Sequence, residues 1–203
     1  MMEGLTFYWV AWTFWIIATF FMKRSEASRI KLSLWLLLII ILSPHVISVF
    51  GMKISVAGLF LAGTLFMFTA KLERLKAVYF ILCSFIIMLA YVCFLLFELF
   101  DPVWLVFPRN GMLAFLLVFL TVMLQENRLN RILIVLLGSI QGDLLYALIL
   151  SKYSFPYLVG SFAFFDAAAL STIMLTIWNG VEFLAAYYEK HYNQIEREKQ
   201  KLS

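Results

Sequence analysis

Charged residues are scarce in this chain. Asp, Glu, Lys and Arg make up 14% of its 203 residues and hydrophobic residues make up 64%, whereas soluble domains carry about 25% charged residues. A soluble domain of this size would leave much apolar surface in water, at roughly 25 cal/mol for each Å². The composition therefore excludes an ordinary soluble domain and predicts an integral membrane protein whose first partner is the lipid bilayer.

Residues that commonly hold metals or perform catalysis are also few. The two cysteines, Cys83 and Cys93, lie inside one apolar run, and the chain contains two histidines. A disulfide framework, a zinc spacing and a His-rich metal site are therefore excluded. The sequence also lacks a His-Glu-x-x-His helix, a Gly-x-Ser-x-Gly elbow and a phosphate-binding glycine loop. We expect a protein that is not an enzyme and that holds no cofactor and no metal.

Apolar runs separated by short polar joints fill most of the sequence. A helix that spans a bilayer needs about 20 predominantly apolar residues, and the runs lie at residues 4–22, 32–50, 54–70, 77–100, 112–124, 132–150 and 157–188. The second and third runs are joined by Gly51, Met52 and Lys53, which predicts a tight helical hairpin or a re-entrant pair. The predicted fold is an all-α polytopic bundle of about seven spans over residues 1–188, followed by a charged tail over residues 189–203.

The distribution of basic residues predicts the orientation of these spans. Lys and Arg are enriched in cytoplasmic joints. If seven spans alternate, one side of the membrane collects thirteen of the sixteen basic residues, and the other side collects Lys53, Arg109 and Lys152. We therefore expect the amino terminus outside and the carboxyl tail in the cytoplasm. The same topology accounts for the net charge of +4 without a nucleic-acid partner. Lys23 and Arg24 directly follow the first run, which fits a retained anchor rather than a cleaved signal.

Two aspartates interrupt the apolar runs, and each costs at least about 2.5–3.5 kcal/mol at the centre of a membrane helix. Asp143 and Asp166 lie at comparable depths on the sixth and seventh runs, which a short joint connects. Small residues would let these two helices approach closely, because Gly138 and Gly142 form a GxxxG pair and small side chains recur at residues 163, 167 and 171. The pattern predicts one polar site that contains both carboxylates.

Three further residues complete this predicted site: Gln141, Tyr146 and His45, the last of which follows a helix-breaking proline. Two interpretations stay open. In one, these groups satisfy one another and hold the helices in register. In the other, they form a proton- or cation-linked site.

A second polar group precedes the tail. Trp178, Asn179 and Glu182 lie near the cytoplasmic end of the last run, and the last two share a helix face because they are three residues apart. Glu182 is expected at the membrane interface. The charged tail is expected to continue the last helix, either as a solvated end that fixes orientation or as a docking handle for a partner.

Several segments of this chain resemble a known family. Residues 2–9 (MEGLTFYW), 19–22 (TFFM), 141–147 (QGDLLYA) and 156–161 (PYLVGS), followed by Asp166, are similar to the YphA-type membrane proteins of Bacillus and related spore-formers. The resemblance covers nearly the whole chain. It implies a small multi-pass protein of the bacterial plasma membrane and supplies no catalytic residues.

Two classes of function therefore remain. The favoured one is a non-enzymatic membrane component or assembly factor that binds other membrane proteins through helix faces and the tail. The alternative is a small carrier or channel whose pathway uses Asp143 and Asp166.

Overall fold

The computed structural model describes residues 3–22, 27–49 and 51–202. Within these residues the chain is predominantly helical, which confirms the predicted all-α class. Its helices are α1 (Leu5–Ile16), α2 (Ala27–Leu42), α3 (Val56–Thr69), α4 (Arg74–Phe100), α5 (Arg109–Leu124), α6 (Arg128–Lys152) and α7 (Phe162–Leu202). A π-helical turn, Ile17–Phe21, extends α1, and a 3-10 turn, Pro102–Trp104, follows α4.

Helix length distinguishes two groups among these elements. The helices α4, α6 and α7 as far as Tyr192 are long and apolar enough to cross a bilayer. Leu5–Phe21, α3 and α5 are shorter apolar helices. The 16 residues of α5 span about 24 Å, against about 30 Å of bilayer hydrocarbon. The number of complete spans beyond these three stays a prediction.

A small β-sheet lies between α2 and α3, where a direct helical joint was expected. Strands β1 (Val46–Val49) and β2 (Met52–Ser55) pair antiparallel, and β3 (Leu158–Val159) pairs parallel to β2. The first alternative, a tight helical hairpin joined at residues 51–53, is therefore wrong, whereas the re-entrant pair stays a prediction. Pro44 cannot continue a helix, β-branched residues favour the strands that follow, and Gly51 supplies a φ of 79° in the turn.

The closest helix packing joins α4 and α6 rather than α6 and α7. A Cβ atom at Gly138 would lie 2.6 Å from the Cβ of Ile87 and 2.7 Å from the carbonyl oxygen of Ser84, both on α4. Gly142 faces Tyr91 on the same helix. The GxxxG pair therefore has the expected role in close packing but a different partner, because sequence spacing identifies a smooth helix face without fixing its direction.

The connections at one end of the bundle come together. The start of α1, the β1–β2 hairpin, the α4–α5 joint and the α6–α7 loop meet there, and we call this end the hairpin face. At the other end α7 continues to Leu202, as expected for a helical tail. Met2 of the resemblance and the basic residues Lys23 and Arg24 of the first joint lie outside the described residues.

Candidate functional site

Asp143 on α6 is fully buried, with 0% exposure, and accepts three hydrogen bonds. Its Oδ1 accepts from the hydroxyls of Tyr91 (3.0 Å) and Tyr157 (2.5 Å), and its Oδ2 accepts from the backbone N–H of Gly160 (2.6 Å). A buried carboxylate is costly unless it is hydrogen-bonded, and here both oxygens have donors. Asp143 therefore joins three elements: α4, α6 and the α6–α7 loop.

Local backbone features bring these donors to the carboxylate. A Cβ atom at Gly142 would lie 2.8 Å from the Cδ1 of Tyr91, so only glycine lets this ring pack directly on α6 beside Asp143. Gly160 has a φ of 68°, which lies in the left-handed region that glycine tolerates. Because Asp143 lies nine residues before Lys152, the last residue of α6, the loop folds back about 13 Å along that helix to present Gly160.

The five residues of the predicted site fall in different places. Tyr146 is buried and packs edge-on against Tyr157, with ring centroids 5.1 Å apart, so it supports the Asp143 cluster. Gln141 is half-buried and faces away, since residues two apart on a helix do not share a face. His45 has an exposed side chain, and its backbone bonds to Leu42 and Val56 at the start and end of the β-hairpin.

Asp166 belongs to a separate cluster. Its two oxygens accept from the backbone N–H groups of Gly4 (2.7 Å) and Phe7 (2.8 Å) at the start of α1. Gly4 is the N-cap residue of α1 and, as a glycine, has no side chain with which to cap the helix. The carboxylate from α7 therefore takes the place of an N-cap residue, which contributes about 1 kcal/mol, and it lies at the positive end of the α1 dipole.

The structure does not bring the two aspartates into one site. Asp143 and Asp166 share no hydrogen-bond partner among the described residues. Their comparable depth along the two helices stays a prediction, and rotation about each helix axis decides which groups meet. The expected single carboxylate site is therefore two separate anchoring points.

A cavity of about 250 Å³ opens at the hairpin face beside the Asp143 cluster. Tyr91 and Tyr157 line this cavity and also bond Asp143. Its other polar lining residues are Glu3, Arg109, Asn110 and Ser161. We call this space the hairpin-face cavity. It contains one cationic and one anionic side chain, which come from α5 and from the start of the chain.

In the sequence analysis, Arg109 served only as one of the three basic residues expected on the outer side of the membrane. Its Nε lies 2.8 Å from a carboxylate oxygen of Glu98, with the two side chains 39% and 22% exposed. The pair closes the α4–α5 joint, and the sequence signal was opposite charges at the two ends of a short connection. Asp101 in the same joint accepts from the N–H of Val103 (3.0 Å) and caps the 3-10 turn.

The second polar group forms around a residue that the sequence did not single out. Arg131 on α6 is 5% exposed and donates to Asn179 (3.1 Å), to both oxygens of Glu182 (2.9 and 2.8 Å) and to the carbonyl of Gln125 (2.5 Å). Trp178 donates to Glu182 (2.7 Å). This cluster ties α6 to α7 and to the end of α5, at the opposite end of the bundle from the hairpin face.

Within the part of the chain that the structure describes, no group of three or more His, Cys, Asp or Glu side chains could hold a metal ion. Among the described residues, the polar groups named above include the two anchoring clusters, the ionic network around Arg131 and the polar lining of the hairpin-face cavity, all within an apolar helical bundle. These features define a helical integral membrane protein with internally bonded carboxylates.

The chain belongs to the YphA-like integral membrane protein family, which matches residues 3–201. This confirms the family resemblance. A relative from Bacillus subtilis (strain 168), described as "Uncharacterized protein YphA", is 28% identical over 186 residues, which cover 91% of this chain and 92% of the relative. No solved structure matches the chain.

Proposed function

We propose that the protein is a non-enzymatic component of the bacterial plasma membrane that crosses the bilayer several times and acts by binding other membrane proteins. The observation that carries this proposal is the internal bonding of both membrane carboxylates. Asp143 accepts from two tyrosines and a loop amide, and Asp166 accepts from two amides of α1. A carboxylate that takes part in transport must exchange its partners for the cargo, whereas both of these already have their oxygens bonded within the protein.

The length of α7 supports a binding role. Its apolar part reaches Tyr192, and the helix continues for ten residues to Leu202. Those residues add about 15 Å of helix with a charged sequence. We propose that this extension lies in the cytoplasm and gives a partner a surface to bind.

The proposed topology has seven spans, with the amino terminus and the hairpin face outside. Thirteen of sixteen basic residues then lie on the cytoplasmic side. Cysteine labelling in intact cells tests this arrangement, with Cys83 and Cys93 replaced. We expect Ser48→Cys on β1 to react with an impermeant maleimide and His191→Cys on α7 to react only after lysis. The reverse result would invert the topology.

Flux measurement separates the binding protein from a carrier. Proteoliposomes with the wild-type chain should show no pH-dependent proton or cation flux above empty liposomes. The tagged protein, extracted gently from its native membrane, should migrate on a native gel in a complex larger than one 23.6 kDa chain with its detergent. Flux that the wild type supports and Asp143→Asn abolishes would overturn the proposal.

A carrier remains the second candidate because one observation favours it. The hairpin-face cavity is lined by Tyr91 and Tyr157, the same two side chains that donate to Asp143. A rotation of either tyrosine would connect the cavity to the carboxylate. The flux assay above decides between the two functions.

A further inference from the structure

We propose that the hairpin-face cavity binds a phosphoethanolamine group, either free or as the headgroup of phosphatidylethanolamine. The proposal rests on the proposed function, because it assumes that the cavity binds this ligand and does not transport it across the membrane. Three properties of the cavity carry it: its size, its pair of opposite charges and its position among aromatic side chains.

The size of the cavity admits a polyatomic ligand. It encloses about 250 Å³, several times the roughly 30 Å³ that one water molecule occupies in the liquid. The walls between its polar groups include Phe164 and Leu113, so it is a partly apolar cleft with a few polar groups that fix orientation, as small-molecule sites usually are.

The charges of the cavity match a zwitterion. Arg109 offers a guanidinium, whose forked N–H groups suit a phosphate, and Asn110 beside it offers an amide N–H. Glu3, on the segment that precedes α1, supplies the carboxylate for an ammonium group. A zwitterion uses both groups, whereas a simple anion would use only Arg109 and a simple cation only Glu3.

The partnership of Arg109 with Glu98 leaves donors for a ligand. The ion pair places Nε of Arg109 2.8 Å from a Glu98 oxygen without a well-aligned hydrogen bond from that nitrogen, and Glu98 is not among the residues that line the cavity. A guanidinium has five N–H donors in a fixed fork. The remaining N–H groups of Arg109 can therefore bind a phosphate while Glu98 holds the side chain in place.

Aromatic side chains place the cavity at the level of lipid headgroups. Trp and Tyr concentrate at membrane interfaces. Tyr157 lines the cavity, and Trp104 lies in the α4–α5 joint that ends at Arg109. A headgroup in the same layer of the membrane could enter the cavity without crossing the hydrocarbon.

Calorimetric titration of the full chain in phosphatidylcholine nanodiscs tests the proposal, with phosphoethanolamine and ethyl phosphate as probes. Wild type should bind phosphoethanolamine more tightly than ethyl phosphate, which lacks the ammonium. Arg109→Gln should lower the affinity for both probes tenfold or more. Glu3→Gln should weaken phosphoethanolamine only, and this exposed position keeps the test independent of folding.

Glu98→Gln distinguishes ligand binding from a structural role of Arg109. Glu98 holds Arg109 in place but does not line the cavity, so Glu98→Gln should weaken binding of both probes only a few-fold, and less than Arg109→Gln does, if Arg109 itself holds the phosphate. If Arg109 only positions the joint, Glu98→Gln should weaken binding as Arg109→Gln does, which would overturn the assignment. Arg74→Gln, an exposed arginine at the opposite end of α4, is the matched control and should leave binding unchanged.

The source of the ligand is resolved by native mass spectrometry from nanodiscs that contain phosphatidylethanolamine. Lipid retained by the wild type and lost in Arg109→Gln identifies a headgroup site, whereas no retained lipid together with binding of the free probe identifies a soluble ligand. If neither free phosphoethanolamine nor phosphatidylethanolamine binds, the inference is refuted and the proposed function is unaffected. Binding accompanied by flux of phosphoethanolamine in proteoliposomes would refute the proposed function and leave the site assignment standing.

Discussion

Replacement of Asp143 by asparagine and by alanine separates a hydrogen-bonding role from a requirement for charge. In the wild type, three donors meet the carboxylate: two tyrosine hydroxyls at Oδ1 and the Gly160 amide at Oδ2. An asparagine can place its oxygen at the Gly160 N–H and its amide N–H groups at the two tyrosine oxygens. Tyrosine hydroxyls can accept as well as donate, so the Gly160 N–H and both tyrosine oxygens keep a partner, and only the two hydroxyl hydrogens lose the acceptor that Oδ1 provides.

The expected magnitudes differ between the two substitutions. Asp143→Asn should cost about 1 kcal/mol, because neutral hydrogen bonds replace bonds to an acidic acceptor. Asp143→Ala leaves three buried donors without an acceptor, at about 1–3 kcal/mol for each, and the total falls at about 3–5 kcal/mol after local relaxation. At roughly 2–4 °C for each kcal/mol in a chain of this size, the alanine variant should melt roughly 10 °C lower.

Thermal unfolding of purified protein in detergent, followed by the loss of the monodisperse chromatographic peak, measures both variants. Gln141→Ala is the matched control, because Gln141 lies half-buried on another face of the same helix and should change the melting temperature little. An asparagine variant as unstable as the alanine variant would refute the reasoning. It would mean that the negative charge of Asp143, rather than its acceptor oxygens, is what the bundle requires.

Three further substitutions follow from the described contacts, and the same melting assay measures them. Asp166→Asn should cost about 1 kcal/mol, because one of its two backbone donors would face an amide N–H; no loss would contradict the cap of α1. Gly138→Ala should destabilise by about 1–3 kcal/mol, because its Cβ would lie 2.7 Å from a backbone oxygen; Gly63→Ala, which meets nothing within 4 Å, is its control. Arg131→Gln should lower the free energy of unfolding by about 1–3 kcal/mol, because a buried charged donor is lost while Glu182, 31% exposed, keeps Arg128 (3.8 Å) and Trp178 (2.7 Å); an equal effect from exposed Arg74→Gln would count against the network.

The helices of this protein were predictable because each apolar run is long compared with a turn of helix. The boundaries of α4 and α6 fall close to the runs at residues 77–100 and 132–150. The β-hairpin was not predictable from the same signal. Its strands lie at the end of one apolar run and the start of the next, where a short apolar segment can form either a strand or part of a helix. Pro44 and Gly51 marked the interruption, but neither indicates which structure follows.

The candidate site was predictable only in part, for a physical reason. An aspartate in an apolar run is costly wherever it points, so Asp143 and Asp166 could be identified from position alone. Their donors could not, since Tyr91 is 52 residues from Asp143 and Gly4 is 162 residues from Asp166. Arg131 was overlooked for the opposite reason. A basic residue at the start of a helix is an ordinary topology signal, and its burial depends on a helix far along the chain.

Both aspartates meet the same requirement, which is an acceptor for backbone N–H groups that have no partner in a helix. Backbone N–H groups that are buried in the bundle must find acceptors inside the protein, because an unpaired buried N–H is costly. The first amides of α1 have no partner within that helix, and Gly160 lies in a loop that folds back along α6. Asp166 and Asp143 supply the missing acceptors at these two places. The non-helical backbone of the hairpin face therefore explains the presence of two carboxylates in apolar helices, and this explanation requires no transported ion.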